Sequence, residues 1–308
     1  MESINRLLWW ADNDRKELPQ DATGATGVDW LRVWPFVLMH LACGLVFWVG
    51  YSHTALVVAV SLYFLRMFAI TAFYHRYFAH KSFNTSRAVQ FVFEVIGTSA
   101  TQRGPLWWAG HHRCHHRTSD TRRDPHSPRN GFWQSHCGWF LGLQNFKTPT
   151  HLIKDFSRYP ELVWLDRFDV LVPIFLAILL WCTGQILAVN APHLNTDGWQ
   201  LLVWGFFIST TVLLHATVSI NSLAHRIGKR RFNTNDDSRN NLWLALITLG
   251  EGWHNNHHFY PGSTRQGFYW WEVDISFYIL KLMQWSGLVW NLKSVPEKKM
   301  KLIKEAVR

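Results

Sequence analysis

Four long apolar stretches constrain the fold of this chain more than any other feature of its sequence. A helix needs about 20 mostly apolar residues to cross the hydrocarbon core of a bilayer, and each stretch approaches that length. Only Ser52 and His53 separate the first two stretches, and residues 190–198 separate the last two. The sequence therefore predicts an all-α integral membrane protein whose four spans form two helical hairpins. The predicted spans cover residues 33–51, 54–74, 170–189 and 199–216.

The distribution of positive charge predicts how these spans are oriented. Of the 31 lysines and arginines, 13 lie in residues 75–167 and another 13 in residues 217–308, whereas the hairpin tips hold none. Because positive residues concentrate on the cytoplasmic side of membrane proteins, both segments and both chain termini are predicted to be cytoplasmic. The two segments would form a helical cap within a single domain, 1–308. The net charge of +10 follows this topology, which argues against a nucleic-acid-binding stripe.

Nine histidines occur in short motifs within the predicted cap or at helix ends that face it. Neutral imidazole is the commonest metal ligand, and it suits iron, copper, nickel and zinc. One zinc site uses three or four ligands, so nine imidazoles indicate two metal ions with four or five ligands each. The cap is therefore predicted to carry a histidine-rich site for two metals. The predicted ligands are His75, His80, His112, His115, His116, His225, His254, His257 and His258.

The spacing of these histidines supports a shared site. Residues at i, i+3 and i+4 lie on one face of an α-helix, and the triplets 112/115/116 and 254/257/258 both have that spacing. Each triplet could therefore point three rings at one place. His75 and His80 are five residues apart, which is about 140° of rotation on a straight helix. That pair predicts a helix end or a bend between its members.

The motifs resemble those of the integral-membrane fatty-acid desaturases, and the Δ9 acyl-CoA (stearoyl-CoA) desaturases most of all. The resemblance runs roughly from Trp34 to Pro296, and its motifs recur in the family's order and separations. It implies a non-haem di-iron centre held by the nine histidines, with Asn221 reaching one iron through a water. The matching segments are His75–His80, His111–His116, Asp124–His126, Ser135–Trp139, Asn221–His225 and Gly250–His258.

The resemblance also implies the reaction, which inserts a cis double bond into a saturated long acyl chain with O2 as co-substrate and two electrons. Attack on an unactivated methylene requires a metal or cofactor, and no catalytic residue beyond the metal site is predicted. Carboxylate-bridged di-iron proteins carry Glu-x-x-His on two helices, whereas only Glu251 and His254 match that pattern here. Five carboxylates are expected to orient imidazole N–H groups instead. They are Asp120, Asp124, Asp236, Asp237 and Glu251.

Residues that would contact the substrate follow from helix geometry and charge. Steps of four residues back from His75 reach Thr71, Met67 and Tyr63, which are predicted to line an acyl tunnel, with plain helix packing as the alternative. A fatty acyl-CoA is the predicted substrate and an acyl-lipid the alternative. Planar guanidinium groups pair well with phosphates, although a solvated basic face is also possible. The candidate phosphate-binding residues are Arg117, Arg122 and Arg123, with Arg113 and Arg129 beside them.

The sequence also predicts a partner. It contains neither a nucleotide-binding glycine motif nor a fused cytochrome b5 domain, so a separate ferredoxin, rubredoxin or cytochrome b5 with its reductase would supply the electrons. Three other functions stay open: a related membrane hydroxylase or ketolase, a haem-binding electron carrier with two axial ligands per haem, and a metal transporter. His40 and His215, which lie inside predicted spans, are expected to form interhelical hydrogen bonds.

Overall fold

A computed structural model describes residues 11–15, 27, 28 and 30–300, and the described chain is predominantly helical. The predicted cytoplasmic chain termini lie outside these residues. The α-helices are α1 (Trp30–Cys43), α2 (Val46–Val49), α3 (His53–Phe68), α4 (Arg87–Thr98), α5 (Pro105–Thr118), α6 (Trp139–Leu141), α7 (Pro160–Arg167), α8 (Leu171–Asn190), α9 (Gly198–Gln200), α10 (Ser209–Ser222), α11 (Leu242–Ile247), α12 (His254–Phe259) and α13 (Ile275–Trp285).

Shorter elements connect these helices. Three π-helical segments cover Ala69–Ala79, Gln134–Gly138 and Leu201–Ile208. Single 3-10 turns cover Asn13–Arg15, Pro128–Asn130, Leu143–Asn145, Thr150–Leu152 and Pro192–Leu194. Two short strands, β1 (Asn84–Thr85) and β2 (Val289–Trp290), form an antiparallel pair that joins the chain after α3 to the segment after α13.

Among the described residues, three continuous helices are long and apolar enough to cross a membrane: His53–Ala79, Leu171–Asn190 and Gly198–Ser222. They correspond to three of the four predicted spans. The first predicted span is divided, because α1 ends in a turn and the chain continues as the short α2. In that turn the N–H of Gly44 bonds to the carbonyl of Leu41, three residues back, at 3.0 Å. The apolar helix at this position, Val33–Val49, is therefore shorter than the other three.

A buried arginine connects the helices at the centre of the fold. Arg66 of α3 is only 1% exposed and donates to the hydroxyls of Thr210 at 2.6 Å and Ser209 at 2.7 Å, both on α10. It also donates to the carbonyl of Ser99, just beyond α4, at 3.3 Å. A buried charge is costly unless polar groups surround it, and among the described residues hydroxyls and carbonyls take that role. Arg66 thereby fixes α3 against α10 and α4.

The helix that starts at His53 does not stop at Phe68 but widens into the π-helical segment that ends at Ala79. Every residue of this segment is buried, and its Phe73 ring stacks on Phe93 of α4 with centroids 4.1 Å apart. Arg113 of α5 donates to the carbonyls of Phe78 and Ala79 at 2.6 and 2.9 Å. Helices α4 and α5 therefore enclose the end of the span from which the first histidine motif projects.

The expected interhelical contact of the two span histidines is confirmed. Nε2 of His40 on α1 lies 2.9 Å from Nε2 of His215 on α10. The other ring nitrogen of His215 lies 3.0 Å from Nε2 of His136, whose Nδ1 contacts the Ser222 hydroxyl at 2.9 Å. Three imidazoles thus form a hydrogen-bonded chain that holds α1 against α10.

We predict that Arg66→Met lowers the free energy of unfolding by about 3 kcal/mol, because hydrogen bonds to a charged group contribute about 1.5–3 kcal/mol each and the substitution removes at least two. Thermal unfolding in detergent measures the effect. Arg158→Met, which removes an exposed arginine, is the matched control. Equal melting temperatures for the two variants would mean that Arg66 does not hold these helices together.

Candidate metal centre

The structure brings the nine predicted histidines into two adjoining groups. In each group, one ring nitrogen from every member lies within 4.8 Å of all the others. The five-histidine group consists of His75, His80, His112, His116 and His257. The four-histidine group consists of His115, His225, His254 and His258. The groups lie side by side, since the rings of His116 and His258 stack with centroids 4.6 Å apart.

The π-helical segment explains how His75 and His80 reach the same group. In a π-helix the N–H of each residue bonds to the carbonyl five residues back, so residues five apart share a face. The N–H of His80 bonds in this way to the carbonyl of His75 at 3.2 Å, and the two ring centroids lie 4.8 Å apart. The predicted departure from a straight α-helix between these residues is therefore confirmed.

The two histidine triplets lie on helices as predicted, α5 and α12, but neither points all its rings at one place. His112 and His116 face the five-histidine group, while His115 faces the other. On α12, His257 joins the five-histidine group, whereas His254 and His258 do not. The expectation of a single target was wrong because positions i+3 and i+4 are about 100° apart around a helix, which suffices to serve two adjacent sites.

His225 reaches the four-histidine group from outside a helix. Helix α10 ends at Ser222, and the following turn places His225, only 3% exposed, against His254 with 3.0 Å between their Nε2 atoms. Asn221, on the last turn of α10, lines the space beside His112 and His126. Its position is compatible with the predicted water-mediated contact, which stays a prediction.

The Nε2 atoms face one another at distances that suit ligands of a shared cation. They are separated by 2.9 Å in the pairs His80–His112 and His116–His257, and by 3.1 Å in His75–His257. Burial, followed by the charge of neighbouring imidazoles, holds the pKa of His80, His112, His116, His254 and His257 well below the ordinary value. The rings are therefore neutral and present lone pairs at neutral pH.

A metal ion fits this arrangement. Two nitrogen ligands about 2.0–2.1 Å from one ion and about 90° apart lie about 2.9 Å from each other, close to the observed separations. Without a cation or shared protons, the facing lone pairs would repel. The donor set of buried, neutral imidazoles is thus suited to two transition-metal ions.

Carboxylates hold the outer nitrogens of four of these rings. Nδ1 of His115 lies 3.0 Å from Asp124, that of His225 2.9 Å from Asp120, and that of His258 2.7 Å from Asp236. Nδ1 of His75 pairs in the same way with Glu251. A carboxylate on Nδ1 fixes the tautomer whose Nε2 lone pair is free for a metal. Four of the five predicted orienting carboxylates are confirmed in this contact.

The fifth expectation, Asp237, was wrong. Its carboxylate pairs with exposed Arg129 at 2.9 Å, and only its backbone N–H approaches the site, where it donates to Asp120 at 2.7 Å. Burial raises the pKa of the Asp120 carboxyl group, but the hydrogen bond and charge of His225, together with the N–H of Asp237 and the charge of His115, outweigh that effect and lower the pKa below its ordinary value. The pKa values of Asp124, Asp236 and Glu251 are lowered for the same kind of reason.

Sequence reasoning missed a buried ionic network behind His75. Arg76 donates to Glu251 at 3.0 Å and pairs with Asp274 at 2.9 Å, and all three side chains are almost completely buried. Gln266 donates to the other oxygen of Glu251 at 3.0 Å. The sequence did contain a signal for this network, because the charged residue Arg76 directly follows the predicted ligand His75 at the end of an apolar helix.

An apolar cavity of about 720 Å³ adjoins the histidines. Helices α1, α8 and α10 contribute to its wall, together with Trp108 and His112 of α5. A second, small cavity of about 40 Å³ shares Trp108, His112 and Asn221 with it. Volumes of about 300–1,000 Å³ are usual for small-molecule sites.

The predicted substrate residues occupy different places. Met67 and Thr71 line the small cavity beside His75, whereas Tyr63 lines neither cavity and donates its hydroxyl to the carbonyl of Ile247 at 2.6 Å. The candidate phosphate-binding residues Arg117, Arg122 and Arg123 are exposed. Their neighbours Arg113 and Arg129 form ion pairs with Asp155 and Asp237.

Comparison with known proteins gives the family. The sequence model of the family described as "Fatty acid desaturase" matches residues 32–285. This range contains every member of both histidine groups. The chain belongs to the fatty acid desaturase family. Desaturases are oxidoreductases of lipid metabolism, and this membership together with the three long apolar helices makes the chain a membrane enzyme that acts on a lipid or acyl substrate.

Named relatives cover most of the chain. It is 35% identical over 292 residues to an sn-1 stearoyl-lipid 9-desaturase of Synechocystis sp., covering 92% of this chain and 86% of the relative. It is 36% identical over 273 residues to an sn-2 palmitoyl-lipid 9-desaturase of Nostoc sp., covering 87% and 91%. It is 33% identical over 285 residues to an acyl-CoA 5-desaturase of Anemone leveillei, covering 86% and 83%.

We predict that the purified desaturase binds two metal ions per chain and that His225→Ala lowers the metal content, because three imidazoles hold the ion of the four-histidine group more weakly than four while the other group stays complete. Elemental analysis of the purified protein measures the content. His111→Asn changes a histidine of α5 that belongs to neither group and should leave the content unchanged. Full metal content in His225→Ala would exclude His225 as a ligand.

Proposed function

We propose that this protein is a fatty-acyl Δ9-desaturase that inserts a cis double bond into a saturated long acyl chain at a di-iron centre. The nine histidines would hold the two irons, and Asn221 would reach one of them through a water. The observation that carries the proposal is the placement of two groups of closely spaced imidazoles beside a large apolar cavity. Family membership and the relatives' named 9-desaturase activities support it.

The proposed reaction is a four-electron reduction of O2, in which two electrons come from the acyl chain and two from a donor. The two adjacent methylenes, O2, two electrons and two protons give one double bond and two molecules of water. Two bound iron ions would supply the activation of O2 that this step needs, and imidazole is among the ligands suited to iron. A separate electron donor (a ferredoxin, a rubredoxin or cytochrome b5 with its reductase) would dock at the cytoplasmic face.

The side chains of the protein have three tasks in this reaction. Burial lowers the pKa of imidazoles such as those of His80 and His254, which keeps these rings neutral and able to bind metal. The carboxylates on Nδ1 fix the rings so that their Nε2 atoms keep one geometry. The apolar cavity walls would hold the methylenes in place and exclude bulk water from the reacting carbons, so that the positioning of the chain relative to the histidines determines which carbons react.

The membrane arrangement is part of the proposal. The bent pair α1–α2 would act as the fourth span, because the contact between His40 and His215 holds α1 against the span that contains α10. The spans would then form two hairpins, both termini would be cytoplasmic, and residues 75–167 and 217–308 would form the cap of a single domain, 1–308.

The head group of the substrate has two candidates. An acyl-CoA would place its phosphates near exposed Arg117, Arg122 and Arg123, whereas the names of the two cyanobacterial relatives favour an acyl-lipid. The acyl-CoA 5-desaturase relative shows that similar sequences serve the other head group. Purified enzyme offered the same labelled acyl chain on coenzyme A and on a glycerolipid would distinguish the two.

We predict that expression of this chain in a desaturase-deficient host produces fatty acids with a cis double bond at carbon 9, and that His257→Ala produces none. Gas chromatography with mass spectrometry of the total lipids gives both bond position and product class. His151→Ala, an exposed histidine outside both groups, is the matched control and should retain activity. A hydroxylated product in place of the alkene would favour the membrane-hydroxylase alternative.

We also predict that the small cavity receives the methyl end of the acyl chain. Met67→Ala should then shift the preference to longer chains, since each buried methylene contributes about 0.8 kcal/mol, and Met67→Trp should shift it to shorter ones. Ile178→Trp, in the wall of the larger cavity, should slow all chain lengths alike. Product analysis from C14 to C20 substrates tests this. A length shift in Ile178→Trp alone would place the methyl end in the larger cavity.

A further inference from the structure

The two histidine groups differ in the charge that surrounds them. Three of the four rings in the four-histidine group give Nδ1 to an aspartate: His115 to Asp124, His225 to Asp120 and His258 to Asp236. In the five-histidine group only His75 contacts a carboxylate, that of Glu251. Among the described residues, no acidic side chain contacts the other four rings of that group, those of His80, His112, His116 and His257.

The partners of these carboxylates increase the difference. Glu251 is paired with Arg76, which is shared with Asp274, so these three buried side chains together carry a net charge of −1. The three aspartates carry −3. Their other hydrogen-bond donors are neutral: Asp120 accepts from the backbone N–H of Asp237, Asp124 from that of Asp120, and Asp236 from that of Ser238. In the described part of the chain, no lysine or arginine nitrogen lies within 4.0 Å of the three.

We propose that the two metal positions are electronically unequal and that the ion in the four-histidine group is oxidised first. A carboxylate on Nδ1 makes the imidazole a stronger donor, and buried negative charge favours the more highly charged ion. The ferric state is therefore stabilised beside the three aspartates, and the ferrous state beside the five imidazoles whose one carboxylate is paired with Arg76. The inference rests on the proposed di-iron function and assigns the aspartates as positioning residues that also set a reduction potential.

Asp120 offers the cleanest substitution. One oxygen accepts both hydrogen bonds, from His225 and from the Asp237 N–H, while the other is buried without a partner. In Asp120→Asn the amide oxygen can keep both bonds and the amide nitrogen can take the free position, so the variant removes charge and little else. Asp236→Asn changes a second aspartate of the same group. Asp237→Asn removes the same charge from the adjacent residue, whose carboxylate contacts no imidazole.

The experiment is a stepwise reductive titration of detergent-purified protein loaded with ⁵⁷Fe, followed by Mössbauer and EPR spectroscopy, with iron content measured for each variant. The wild type should titrate in two one-electron steps through a mixed-valence form. Asp120→Asn and Asp236→Asn should each shift only the more negative potential, in the positive direction, and Asp237→Asn should shift neither.

Two results would overturn the inference. One is a single two-electron step in the wild type. The other is that Asp120→Asn and Asp236→Asn leave both reduction potentials unchanged or shift both by the same amount. These outcomes are separate from the test of function. A protein that desaturates with two equivalent irons would refute only the inequality, whereas one with two unequal irons and no desaturated product would refute only the proposed reaction.

Discussion

Nine buried or half-buried imidazoles that face one another at hydrogen-bond distance are the constraint on which the rest of this structure depends. Two Nε2 lone pairs about 3 Å apart repel unless a proton or a cation lies between them, and burial lowers the pKa of rings such as those of His80 and His254, which keeps them neutral. Holding these rings together before a metal binds therefore lowers the free energy of unfolding. Three features hold the rings in place: the π-helical end of the long span, the helices α5 and α12 that contain the histidine triplets, and the carboxylates that contact Nδ1 atoms.

The same constraint accounts for the buried charge behind and beside the histidines. Arg76 joins Glu251 to Asp274 behind His75, and three aspartates hold the Nδ1 atoms of His115, His225 and His258. Each of these carboxylates has at least one charged or hydrogen-bonding partner within the described fold, which lowers the cost of burying its charge. The metal site and its supporting shell are thus one network rather than ligands placed on an independent scaffold.

The sequence was sufficient to predict those parts that depend on local spacing. The triplets at 112/115/116 and 254/257/258 fall on helices, three apolar stretches become long helices, and four of five proposed carboxylates contact an imidazole. The sequence was insufficient to predict those features that depend on tertiary packing. The division of each triplet between two groups, the π-helix at Ala69–Ala79 and the turn at Gly44 all depend on neighbouring helices that a single sequence does not specify. Asp237 failed because its neighbour Arg129 competes for the carboxylate.

The most direct test of this account is an experimental structure of the active protein with anomalous scattering measured at the iron edge. Two peaks are expected, one enclosed by the Nε2 atoms of the five-histidine group and one by those of the four-histidine group. A single peak would contradict it, as would a peak at the separate cluster of His136, Cys137 and His215 with none at the nine histidines.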